Sequence, residues 1–452
     1  MMRNLRTRKL SQSNGRPIAL AVATVALLLM VGWQSGISSP GDGNDAMGKV
    51  AQGIAAAPTG PGGAGDGKTS PECEKVADKP AHPRHCPDPL RHMQWNLDVI
   101  EADAALSYAT GKGVVVAVID TGLDRDHPEF AGRILWFSDA NLRDPDADGP
   151  TDEFGHGTWS AGIIAAAARN GQGIHGIAPD ATILPIRPLD GSVEELLLDQ
   201  EPVRRIAAAV RFATAHGADV ISMSLSAGPQ RELQGLDELR EATKEAWNQG
   251  IVLVAAAGND EGRPYCNEPA SHAQVICVSG VMRSGQKGLR FQHDVIGMSH
   301  IMAPADNFAP EVLLQDGATL PVEPGATTSG CEEAIVTTDP IFFNGTTECG
   351  GMPAGYFFAT GTSIATPHVA GVAALLVELG LSNEEIMDRI LCTADDLGEP
   401  GRDATYGYGR VNALRAVTND RNEDCGSDGI VSASTAALDF VVRTAGHGNP
   451  IR

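Results

Sequence analysis

The chain alternates between short, wholly apolar runs and longer stretches in which apolar residues recur every three or four positions. Val114–Ile119 (VVVAVI) is continuous, apolar and β-branched, which is how a strand covered on both faces of a parallel sheet reads. Similar runs recur at Thr182–Ile186, Asp219–Leu225, Ile251–Ala256 and Val275–Val281. Helical patterns lie between them. Pro202–His216 carries Val203, Ile206, Ala207 and Val210 on one stripe and is followed by Gly217; Leu233–Gln249 is closed in the same way by Gly250. Further on, an Ala- and Val-rich helix is predicted over Ile364–Leu379, ending at Gly380, and Ser382 with Glu385 forms a capping box for the next. Strand–helix alternation predicts an α/β fold with a mostly parallel central sheet, helices on both faces and right-handed crossovers.

These patterns occupy residues 90–418. Residues 1–33 differ. Arg3, Arg6, Arg8, Lys9 and Arg16 precede an uncharged run, Pro17–Trp33. This is the order of an export signal, and the run also suits an N-terminal membrane anchor. Residues 34–89 are a Gly/Pro/Ala-rich linker ending in a short Cys-containing extension. Residues 419–452 form a C-terminal tail with no strong pattern.

Composition narrows the function. Apolar residues make up 42% of the chain, enough for a sizeable core, and the net charge is −23. An acidic surface disfavours nucleic acid, which needs phosphate neutralisation. Eight cysteines behind an export signal suggest disulfides. Proximity favours 73–86, 266–277, 331–349 and 392–425. No Cys/His spacing suits zinc.

Three segments carry candidate chemistry. Asp120 follows the first apolar strand and precedes Thr121-Gly122, at the carboxyl edge where α/β sheets gather reactive groups. His156 sits between Gly155 and Gly157, at the mouth of a small-residue helix. Ser363 lies in Gly361-Thr362-Ser363, where another helix begins and unsatisfied N–H groups point outward. Taken singly, these read as a turn residue, a solvated loop histidine and an N-cap. Together they supply a weak nucleophile, the base it needs and a carboxylate to orient that base, in the chain order acid, base, nucleophile.

The segments VVVAVIDTGLDRDHPEF, GHGTWSAGIIA, GIHGIAPDATILPIR, DVISMSLS, VLVAAAGN, GTSIATPHVAGVAALL and YGYGRVNALRA together resemble the subtilase family of serine peptidases, over roughly Gln94–Ala416. The resemblance implies a subtilisin-like fold and an exported serine endopeptidase acting on proteins or peptides. It also implies an Asp120–His156–Ser363 triad, Asn259 as oxyanion donor, and Ser224, Leu225, Ser226 and Gly258 as substrate-binding positions. No cofactor is required for that chemistry and no metal ligand is assigned, and the expected working unit is a monomer. About 60 residues separate Trp33 from Gln94, too few for a folded prodomain of the usual kind, so folding without one is expected.

Departures from the family pattern are equally specific. Trp159-Ser160 stands where His-Val is usual, offering either a substrate subsite or packing. Ser226-Ala227 replaces a glycine pair. Residues 305–358 read as a Cys-bearing surface insertion. Asp139, Asp144, Asp146, Asp148 and Asp152 crowd the loop before His156, which reads either as a solvated acidic loop or as a structural calcium site. Two rival functions remain on the same fold: a catalytically silent peptide-binding protein, and an acyl transferase or peptide ligase.

Overall fold

The computed structural model describes residues 87–144, 146–189, 201–226, 235–259, 266–286, 300–305, 334–340, 346–347, 350–351, 353–423 and 425. The expected signal or anchor, nearly all of the linker, the pairings 73–86 and 331–349, and most of the tail lie outside these residues.

Six strands form one parallel sheet: β1 (Val115–Ile119), β2 (Thr182–Ile186), β3 (Val220–Met223), β4 (Val252–Ala256), β5 (Val275–Val281) and β6 (His300–Pro304), in the order β2-β1-β3-β4-β5-β6. Alternate residues divide between two cores. Val116, Val118, Val220, Val254 and Val278 face one way and join Ile163, Val369, Val372 and Leu376. Ala117, Ile119, Ile221, Met223 and Leu253 face the other and join Val203, Ile206, Val210 and Leu239. Because both faces are covered, the strands read as unbroken apolar runs.

The first core is closed by α1 (Trp95–Val99), α2 (Ala102–Ala105), α3 (His156–Ala165), α6 (Thr362–Glu378), α7 (Asn383–Cys392) and α8 (Ala413–Thr418); α4 (Glu201–Ala215) and α5 (Leu236–Asn248) close the second. Strands and helices thus match expectation to within a few residues. At α7 the Ser382 side chain caps the Glu385 N–H and the Glu385 side chain accepts the Ser382 N–H. The disulfides 266–277 and 392–425 are both formed.

One expectation needs correction. Part of the supposed surface insertion is a buried antiparallel hairpin of β7 (Ile335–Thr338) and β10 (Tyr356–Ala359), with Thr337 opposite Phe357. The two-residue strands β8 (Thr346–Thr347) and β9 (Gly350–Gly351) pair between them. Residues 335–338 are fully buried because Ile335 and Val336 enter the core while Thr337 and Thr338 donate to the carbonyls of Trp159 and Thr158 on α3. The end of the stretch read as linker is likewise built in. Asp88 accepts the N–H groups of Arg169 and Asn170; just beyond that stretch, Gln94 exchanges two bonds with the His175 backbone.

Candidate active site

Asp120 directly follows β1 and is 3% exposed. His156 opens α3, and its Nδ1 lies 2.7 Å from Asp120 Oδ1. The Thr121 N–H also donates to Oδ1, and the Ser160 hydroxyl donates to Oδ2 at 3.2 Å. The carboxylate is therefore fixed from three directions and can fix the imidazole in turn. Burial works against the imidazolium, but the charge and hydrogen bond of Asp120, helped by Asp152, outweigh it and hold the His156 pKa above its ordinary 6.5.

The turn that presents His156 depends on Asp152. Its Oδ1 accepts from Thr121 Oγ1, Phe154 N and Gly155 N, and its Oδ2 from the N–H and hydroxyl of Thr158. Five donors satisfy this fully buried carboxylate without a cation. Of the five aspartates in this loop, Asp152 is committed to the turn, and among the described residues there is no group of three or more His, Cys, Asp or Glu that could hold a metal ion. Gly122 must be glycine here, since its φ is +118° and a Cβ would lie 2.5 Å from the Pro150 carbonyl oxygen.

Ser363 occupies the first turn of α6. Asn259 follows β4, and its Oδ1 accepts from both the N–H and the hydroxyl of Thr362. That turns the amide nitrogen outward. Gly361 lies between the two groups: a Cβ there would sit 3.3 Å from Ser363 Oγ and 3.6 Å from Asn259 Nδ2. His156 and Ser363 stand at the starts of two helices, α3 and α6, that pack on each other. Ser224 and Leu225 are buried and Ser226 half-buried, just past the end of β3; Gly258 is buried just past β4. All eight residues expected from sequence therefore follow strand ends or helix starts along the sheet's carboxyl edge.

Of the supports, sequence reasoning left Trp159 between a substrate subsite and packing and assigned no role to Asp339. Trp159, three residues beyond His156 on α3, donates from its indole to Asp339 at 2.7 Å. Asp339 is 3% exposed. Burial pushes its pKa up to about 6; the Trp159 bond opposes this, and the charges of Asp152 and Asp124 add to it. A polar residue directly after a strand of two threonines is the only local signal for it.

The sequence profile of the subtilase family matches residues 111–409. Thermitase of Thermoactinomyces vulgaris is 34% identical over 324 residues, covering 72% of this chain and 95% of thermitase. The thermophilic serine proteinase of Bacillus sp. strain AK1 is 37% identical over 306 residues, covering 68% of this chain and 62% of that protein. The crystal structure of a lanthipeptide protease superposes with a TM-score of 0.56 at 26% identity, covering 72% of this chain and 94% of the other.

Proposed function

The chain belongs to the subtilase family and is a serine endopeptidase, and from that premise we propose that it cleaves peptide bonds through an acyl-enzyme formed on Ser363. The observation that carries the proposal is the 2.7 Å bond between His156 Nδ1 and buried Asp120. With Nδ1 engaged, Nε2 is the nitrogen left to take the Ser363 proton as Oγ attacks the scissile carbonyl. The carbonyl oxygen becomes negative and receives the Asn259 amide and the Ser363 N–H, which has no intrahelical partner in the first turn. Collapse breaks the C–N bond, and the imidazolium gives its proton to the leaving amine. Water then repeats the cycle on the ester. Ser224–Ser226 would pair with extended substrate backbone on the acyl side, so that main-chain bonds supply affinity.

No cofactor enters this chemistry. Substrates are proteins or peptides, and one chain carries every group used. Export is part of the proposal, supported by the two disulfides among the described residues. The test is labelling by a serine-reactive fluorophosphonate beside a Ser363→Ala control. Labelling that the control lacks is expected. A folded protein that refuses the probe would instead favour the silent peptide-binding function.

A further inference from the structure

The aromatic residues beside His156 are not used by the reaction above. Trp159 lies on the His156 face of α3, as positions three apart do, with ring centroids 5.6 Å apart. Its indole stacks on Phe357 of β10 at 4.8 Å and 13°. Phe154, 47% exposed, stands 6.4 Å away on the other approach. Trp159 and Phe357 are themselves only half-buried. The indole cannot swing freely, because its N–H is tied to buried Asp339 and the backbone of α3 is tied to Thr337 and Thr338 of β7. A half-exposed aromatic surface is thus held rigidly against the group that shuttles the proton.

Its position determines what it meets. The residues proposed to hold the acyl half, Ser224–Ser226 and Gly258, follow β3 and β4. Trp159 and Phe357 belong to α3 and to the hairpin packed on it, which is not part of the main sheet. His156 shares α3 with Trp159, whose ring lies 5.6 Å from the imidazole, and the amine that His156 protonates departs on the side of that imidazole. We propose that Trp159, stacked on Phe357 and positioned by Asp339, forms the subsite for the residue immediately after the scissile bond and selects an aromatic or large aliphatic side chain there. This inference rests on the assignment of Asp120, His156 and Ser363 as the triad. Trp159 and Phe357 touch the substrate, whereas Asp339 acts only through Trp159. The rings fill through apolar and edge-to-face contact with the incoming side chain, which is worth about tenfold or more between Phe and Ala at one position.

The test uses the full chain and internally quenched peptides that differ only in the residue after the scissile bond: Phe, Leu or Ala. Beside them runs a nitroanilide with the same acyl half and no amino acid on the leaving side. The readout is the ratio of kcat/KM for Phe over Ala within each variant, so that differing amounts of active protein cancel. Expected ratios are about 10 or more for the native chain and under about 3 for Trp159→Ala. Asp339→Ala should lower the ratio mainly through KM for the Phe peptide, and Asp339→Asn, which keeps an acceptor for the indole, should restore it. A ratio near one in the native chain overturns the subsite, as does one unchanged in Trp159→Ala. If Trp159→Ala proves too damaged to assay, the Asp339 pair decides by the same criterion. A native chain that cleaves the nitroanilide but shows a flat ratio keeps its triad and loses this subsite. One that refuses both nitroanilide and fluorophosphonate loses both.

Discussion

Replacing Glu129 by Gln should change how stability responds to pH. Glu129 is 0% exposed beneath the β7–β10 hairpin. It accepts from the Tyr356 hydroxyl at 2.9 Å, Asn170 Nδ2 at 2.8 Å and Ile174 N at 3.2 Å. Burial is the largest influence on its carboxyl. The three bonds pull against burial, the Asp88 charge adds to it, and the pKa is pushed up from 4.5 to about 7. Between those values the folded chain holds a proton that the unfolded chain has released. Stability therefore falls as pH rises through this window, and the full loss is present above about 7. At about 1.4 kcal/mol per pH unit the loss comes to about 3.5 kcal/mol, an upper figure. Gln cannot ionise. It sets an amide against one of the surrounding N–H donors, a penalty that does not vary with pH. The assay is urea unfolding of both proteins at pH 5, 6, 7 and 8, each carrying Ser363→Ala to prevent self-digestion. The stability of the native Glu129 form relative to Gln should drop by about 2–3 kcal/mol from pH 5 to pH 8. A difference that stays constant across that range, within extrapolation error, refutes the assignment of a proton to Glu129.

Three further outcomes follow from the site. Asn259→Ala should lower kcat by ~10²–10³ with KM little changed, a scale set by the same donor in subtilisin; a higher KM at constant kcat would point instead to a role in holding Thr362. The acid limb of the kcat/KM–pH profile should lie above 6.5, because His156 must be neutral to take a proton and Asp120 favours its charged form. Ser160→Ala, which removes a hydrogen bond from the Asp120 carboxylate, should move that limb further up by less than about one pH unit; a downward move would contradict the geometry. Finally, Cys392→Ala with Cys425→Ala opens a disulfide closing a separation of 33 residues. It should remove about 3–4 kcal/mol of stability on the chain-entropy account, read as a lower midpoint in urea.

Much of this molecule can be read from its sequence because its strands are buried on both faces. A run such as VVVAVI has few other uses, and glycines beside Asp120, His156 and Ser363 mark where backbone must pass closely. What escaped the sequence was long-range partnership. Asp152, set among other aspartates, read either as part of a solvated acidic loop or as a cation ligand; its partners Thr121 and Thr158 lie 31 and 6 residues away and become visible only when α3 docks on β1. Asp339 and Trp159 are 180 residues apart. The hairpin was missed because Ile335–Thr338 is only four residues long and is embedded in a Gly-, Pro- and Cys-bearing stretch without helical or strand period. Helix α5 begins at Leu236 instead of Leu233 because Gly235 adopts φ +92° immediately before it.

The placement of α6 has a consequence for synthesis. Asp120 and His156 lie on elements formed from the first part of the chain, whereas Ser363 arrives on a helix buried nearly all round against α3 and β3 to β6. On the proposed triad, a chain growing from its N-terminus, or one cut short before α6, can pair acid with base but has no nucleophile and no helix to fill the core. With Ser363 as the nucleophile, the order of elements would withhold proteolysis until assembly is nearly complete.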